Sequence, residues 1–322
     1  MRRIVKRRPS LSMVAVVTAL LVSVGGTATA LAATARIGPP PSTTWYVDPE
    51  SPANRELASL QADGRHDEAA LIERIASQPR FNWYGLFIGA NRLEEYVDRA
   101  VAAGNVPLVV IFNVEARECG DLAAARRFYD EAAAAIGSRR AMVALEPDSL
   151  GSMKLSERAC FAAIRYGVRV LSALPGTTVY MDAGASDWGG GNPLGMARKL
   201  RRVDICRAGG VLLNATHADW TVRNVRYGRA LERLLACRLR ILVNTAENGQ
   251  GPNPRTRARS WCDSEQHYGL GPDPASPTPY PRVAYGWVNR PGYTQQCYDP
   301  PVRWALYRAL GLAERASSRV GP

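Results

Sequence analysis

The chain has 322 residues, and the roughly 290 that follow its amino-terminal segment suit one α/β barrel as well as two small domains. Its formal net charge is +12, but five of the positive charges fall within the first eight residues. The remaining charge is spread without a dense basic block or recognition motif, which argues against a nucleic-acid partner.

Arg2, Arg3, Lys6, Arg7 and Arg8 open the chain, followed by an uncharged apolar stretch from Leu11 to Val24 and the small residues Ala28-Thr29-Ala30-Leu31-Ala32-Ala33. This is the pattern of a secretory signal over residues 1–32, and the apolar run is short for a membrane span. Secretion without a stable membrane anchor is therefore expected. The six cysteines, Cys119, Cys160, Cys206, Cys237, Cys262 and Cys297, all follow it, and an even number in an exported chain points to disulfides. Only three histidines are present and no C-x-x-C occurs, so no metal site is expected.

Residues 33–44 include Pro39-Pro40-Pro41 and read as a short lead-in. Apolar runs then alternate with amphipathic ones. Strands are expected at Trp83–Ile88, Pro107–Asn113, Ala141–Glu146, Thr178–Asp182, Gly210–Asn214, Arg240–Thr245 and Val283–Val288. Helices are expected at Asp67–Ser77, Arg92–Ala103, Leu122–Ala135, Ser156–Ala173, Pro193–Arg202, Val222–Ala236 and Val302–Glu314. Apolar strands separated by helices imply a parallel sheet buried on both faces. Seven such units suit a closed barrel, and periodicity alone equally allows an open doubly wound sheet. A long Gly- and Pro-rich loop from Asn248 to about Pro281 breaks the rhythm and carries Trp261-Cys262.

Polar residues follow the strands: Glu118, Asp148, Asp182, Asn214 and Asn244. In α/β folds these positions converge on the face that carries the chemistry. Pro147 bars further ladder pairing, so Asp148 stands where strand becomes loop. Trp83, Trp188, Trp220, Trp261 and Trp287 would give a cleft flat apolar walls. Carboxylates with aromatic platforms suit a carbohydrate site, one protonated acid and one ionised acid being the apparatus of glycoside hydrolysis. Buried structural Trp and helix-capping Asp account for the same residues one at a time. No G-x-S-x-G is present, and Gly189-Gly190-Gly191 lacks dinucleotide-loop spacing, so neither a serine esterase nor a nucleotide cofactor is indicated.

Glu146-Pro147-Asp148, Tyr180-Met181-Asp182-Ala183-Gly184 with Trp188, Asn248-Gly249-Gln250-Gly251, Trp261-Cys262-Asp263 and Trp287-Val288 occur in an order and spacing that resembles glycoside hydrolase family 6. These are inverting β-1,4-glucanases, endoglucanases and cellobiohydrolases, and the resemblance runs from Trp45 to the last helix. It implies a distorted (β/α) barrel of about seven parallel strands in a single domain, residues 45–318, and a β-glucan substrate; no cofactor and a monomer are expected. It implies Asp148 as general acid, Glu118 as the carboxylate that tunes it and receives the water's proton, and Asp182 as an acid that binds and distorts the sugar. Trp83, Trp188 and Trp220 match sugar-stacking positions, and Asn214 and Trp287 join them as substrate-binding candidates. Cys119–Cys160 and Cys262–Cys297 match the family disulfides; a Cys206–Cys237 bridge is a further expectation.

The departures concentrate in one segment. Asn289, Tyr293 and Gln295 stand where the family has Lys, Glu and Asp, and they are candidates for contacting the sugar in their place. An amide orients water but cannot take its proton at neutral pH. Phe112 replaces a Tyr, Ala185 a His, and Asn244 and Glu247 an Asp and an Arg. Three readings follow: an active glucanase with Glu118 as distant proton acceptor, a hydrolase of another β-glycan, or a descendant that binds polysaccharide without turnover. The short loop after Cys119 favours an open cleft and internal cutting.

Overall fold

The computed structural model describes residues 44–85, 90–254, 267–294 and 303–322. The expected signal segment and lead-in, together with Trp261, Cys262, Gln295 and Cys297, lie outside the described residues.

Seven strands form one parallel sheet in sequence order: β1 (Asn82–Gly85), β2 (Leu108–Phe112), β3 (Ala141–Leu145), β4 (Thr177–Asp182), β5 (Gly210–Leu213), β6 (Arg240–Asn244) and β7 (Val283–Gly286). Each expected strand is present, one or two residues shorter than its apolar run where both ends are described, or extended by one residue at Thr177. The sheet curls into a barrel left open between β1 and β7. At that seam the Phe81 N–H donates to the Trp287 carbonyl (3.0 Å) and the Trp83 indole N–H to the Val288 carbonyl (2.8 Å).

Strand side chains alternate between two apolar environments, as the twofold pleat requires. Leu108, Val110, Met142, Ala144, Tyr180, Leu212 and Leu242 fill the barrel interior with Phe81 and Val288. Val109, Ile111, Val143, Leu145, Val179, Val211, Leu213, Ile241 and Val243 face the surrounding helices. Both faces are covered, which explains why the runs carry no polar alternation.

The outer layer comprises α1 (Pro52–Ala62), α2 (His66–Ala76), α3 (Ala90–Ala102), α4 (Val114–Glu118), α5 (Leu122–Ile136), α6 (Ser149–Ser152), α7 (Arg158–Ser172), α8 (Pro193–Arg202), α9 (Thr221–Leu235) and α10 (Leu306–Glu314). Sequence periodicity misses α1 because only Ala53 and Leu60 of its face are buried. Its signal lay in the cap: the Ser51 hydroxyl accepts from the Asn54 N–H, and Pro52 opens the first turn. The short α4 and α6 also escape periodicity, being one turn each.

Two disulfides tie the outer layer. Cys119–Cys160 joins the end of α4 to α7, and Cys206–Cys237 joins the turn after α8 to the end of α9, with Cα atoms 4.8 and 5.9 Å apart. The second bridge closes a sequence separation of 31 residues. Replacing both Cys206 and Cys237 by Ser is expected to remove about 3–4 kcal/mol of stability, from the loop entropy restored to the unfolded chain. Urea unfolding of the two proteins checks it, and coincident midpoints would show that the bridge contributes nothing.

Candidate active site

The carboxyl end of β3 carries three features in three consecutive residues. Glu146 leaves the strand with φ 54°, Pro147 follows, and Asp148 takes φ 67° before α6 begins. Left-handed backbone at two non-glycine residues costs about 1–3 kcal/mol each and persists only where the surroundings hold it. Here they do. Glu146 is fully buried, and its carboxylate accepts from the Asn113 N–H (2.8 Å), the Tyr129 hydroxyl (2.8 Å) and the Ser149 hydroxyl (3.0 Å). The Lys199 ammonium on α8 donates to the Leu150 and Gly151 carbonyls at the far end of this turn (2.7 and 3.2 Å).

Asp148 is held from the next strand. Its N–H donates to Oδ2 of Asp182 (3.1 Å), an oxygen that also accepts from the Gly184 N–H (3.1 Å). Asp182 is fully buried and its Oδ1 has no partner. Burial, then the charge of Asp148, raises the Asp182 carboxyl well above the ordinary range. Asp148 is partly open to solvent, and its Oδ1 accepts from the Thr216 hydroxyl (2.6 Å). Burial raises its pKa, while the Thr216 hydrogen bond, His217 and Arg117 oppose the rise. A carboxyl so placed can hold a proton and release it into the cleft.

Glu118 lies exposed at the last position of α4, beside the Cys119 bridge. The charge from that segment that acts on Asp148 is Arg117, whose guanidinium also lies over the Phe112 ring at 5.8 Å. Trp83 is half-buried, leans on Phe112 (6.0 Å) and carries the Arg290 guanidinium over its ring at 5.5 Å. Arg290 also lies 4.6 Å from the half-buried Tyr293 ring. Trp188 is half-buried and stacks on His217 (4.9 Å), whose Nδ1 is 2.8 Å from Asp187. Gly151 lets that indole approach, since a Cβ there would sit 2.6 Å from the ring.

Two sequence candidates are corrected. Trp287 is fully buried in the cluster formed with α1, α2 and α10, so it packs the fold and has no face for a sugar. Asn214 is fully buried too; its amide donates to the Asp219 and Asn244 carbonyls (3.2 and 3.0 Å) and accepts from the Asp219 N–H (3.1 Å). It ties strand ends together. Trp220 is 9% exposed, lies beside Gly251 and has Arg319 over its ring at 5.8 Å, which leaves little free surface.

Sequence reasoning passed over Thr216, His217, Arg290 and Asp219. Asp219 is buried, accepts from the Ser186 hydroxyl and Arg223, and its carbonyl gathers amides of Asn214, Asn224 and Asn248. Asn244, where the resembling family has Asp, uses both ends of its amide. It donates to the Asn214 and Ala215 carbonyls (2.9 and 3.2 Å) and accepts from the Val288 and Asn289 N–H groups (2.9 and 3.2 Å). A carboxylate could not donate.

The family described as Glycosyl hydrolases family 6 matches residues 41–317. The chain belongs to that family. It is 30% identical to Endoglucanase A of Thermobispora bispora across 93% of its own length and 69% of the relative's. With Endoglucanase 1 of Streptomyces halstedii it shares 32% identity over 68% of its length and 72% of the relative's. Among solved structures, the endoglucanase Cel6 from Mycobacterium tuberculosis superposes with a TM-score of 0.76 at 26% identity, covering 85% of this chain and 98% of that one. The chain is thus a glycoside hydrolase with a family 6 barrel, and its relatives are glucanases by name.

Burial raises the Glu146 pKa to about 7, against an ordinary 4.5, with Tyr129, Asn113, Ser149 and Arg117 opposing. A folded-state pKa above the unfolded one means the native state binds the proton more tightly. The stabilisation from this group is complete below pH 4.5 and disappears as pH rises through about 7. Glu146→Gln should therefore lose less stability than the parent between those two pH values, as chemical denaturation across the range would measure.

Proposed function

We propose that this family member is a secreted, endo-acting β-1,4-glucanase that hydrolyses its substrate in a single inverting step. Residues 1–32 serve as its export signal and residues 45–318 as its catalytic domain. The observation that carries the reading is Asp148, a carboxyl with a raised pKa at the mouth of the barrel, held by the buried Asp182.

In this reading Asp148 protonates the glycosidic oxygen as the bond to the anomeric carbon breaks, and water attacks that carbon from the opposite face. Glu118 receives the water's proton through intervening water, since the amide of Gln295 cannot. Asp182, expected from the resemblance to bind and distort the sugar, is fully buried and acts instead through Asp148, fixing its backbone. Trp83 and Trp188 border the glucan, with Asn289 and Tyr293 beside Trp83. The connection from Cys119 to α5 is only Gly120-Asp121, so no long loop grows there to roof the cleft. An open cleft admits the middle of a chain, which favours internal cutting. The Mycobacterium tuberculosis relative was solved with methyl-cellobiosyl-4-deoxy-4-thio-β-D-cellobioside, which supports a β-1,4-glucan ligand.

Reducing-end release from soluble and swollen β-1,4-glucans by the oxidised mature chain tests this directly. Asp148→Asn should lower turnover by about 10²–10⁴-fold, the usual contribution of a general acid. Absence of turnover in the parent, with glycan binding intact, would leave a polysaccharide-binding descendant instead. Products dominated by cellobiose from chain ends would sink the endo assignment.

The protonated form of Asp148 is the active one, so activity should fall as pH rises through its pKa. Thr216 donates to the ionised carboxylate and lowers that pKa. Thr216→Val should therefore move the alkaline limb of kcat/KM to higher pH, and a limb that stays or moves down would exclude this tuning role.

A further inference from the structure

The corner formed by Trp83, Arg290 and Tyr293 holds more positive charge than a neutral sugar requires. Arg290 contacts both rings, at 5.5 and 4.6 Å, and has no carboxylate partner among the described residues. Asn289 does not reach past it; its side-chain oxygen accepts from the Arg290 N–H (3.0 Å). The segment 287–294 contains no acid. A second guanidinium lies behind: Arg80, two residues before β1, is 6% exposed and its Nη1 has no hydrogen-bond partner. Its charge reaches Arg290, where it adds to burial in weakening the hold on the proton. The acid acting on Arg80 is Asp48, whose two oxygens already accept from the Glu50 N–H (3.1 Å) and the Asn82 amide (3.4 Å).

Two guanidinium groups with no ion pair among the described residues are an unfavourable resting arrangement in a partly desolvated corner. Aromatic faces attract a guanidinium but do not neutralise it. The edge donors of such a group fit the two oxygens of a carboxylate. We propose that the Trp83–Arg290–Tyr293 corner is an anion-accepting subsite that takes a carboxylate-bearing sugar unit, a hexuronate within a β-1,4-linked glucan chain. Trp83 stacks on the ring of that unit, and Arg290, backed by Arg80, binds its C6 carboxylate. The proposal rests on the glucanase reading and narrows its substrate to a partly oxidised, acidic glucan.

The test is calorimetric binding of a non-hydrolysable thio-linked cello-oligosaccharide to the oxidised mature chain, beside the same oligosaccharide oxidised to carboxylate at C6. At low ionic strength the carboxylated ligand should bind about tenfold tighter or better, as a charge-assisted contact implies. Added salt should erode that advantage, and Arg290→Gln should bring the ratio of the two affinities close to one. Equal affinities in the parent protein would overturn the subsite while leaving the glucanase reading in place. A preference that survives Arg290→Gln would also overturn it, because the arginine would then only prop Trp83. Failure to bind either ligand would overturn both readings. If the variant does not fold, the salt dependence of the parent's preference decides.

Discussion

The hydrogen bond from the Asp148 backbone to the buried Asp182 carboxyl organises the chemical end of this barrel. It crosses from β4 to the turn after β3 and holds a residue in a backbone conformation it would not otherwise keep. On the other side of that turn, Glu146 accepts three hydrogen bonds in the protein interior and fixes the first left-handed residue in the same way. Burial does two jobs with these acids. It makes their hydrogen bonds strong, and it disfavours their charged forms.

The other strand ends are held by amides. Asn214, Asn224, Asn244 and Asn248 donate to carbonyls of neighbouring loops, three of them to the single carbonyl of Asp219. Asn244 also anchors Val288 and Asn289, and so sets where the last loop leaves β7. That loop is where the chain departs most from the resemblance, with Asn289 and Tyr293 in place of two charged residues. Arg290 faces the aromatic rings of Trp83 and Tyr293, with no acid of its own among the described residues.

Several features were open to reading in the chain itself. Strand after strand is apolar on both faces because each is covered by helices outside and side chains inside, and that requirement writes itself into sequence as uninterrupted runs. Asp148 was visible because Pro147 ends the ladder just before it. Trp83 and Trp287, by contrast, look alike in sequence: each is a Trp on an apolar run near a strand end. The seam between β1 and β7 separates them, leaving one at the mouth and placing the other under α1, α2 and α10.

By itself, then, the sequence determined the seven βα units, the supply of cysteines and the acid at the end of β3, all properties of local pattern. Tertiary structure decided which acids are buried. Glu146 is tied to Tyr129, seventeen residues earlier, and Asp148 to Thr216, sixty-eight residues later. The protonation of a carboxyl depends on desolvation and on charges brought near it by the fold. Those distances do not exist along an extended chain, and only the closing of the sheet creates them.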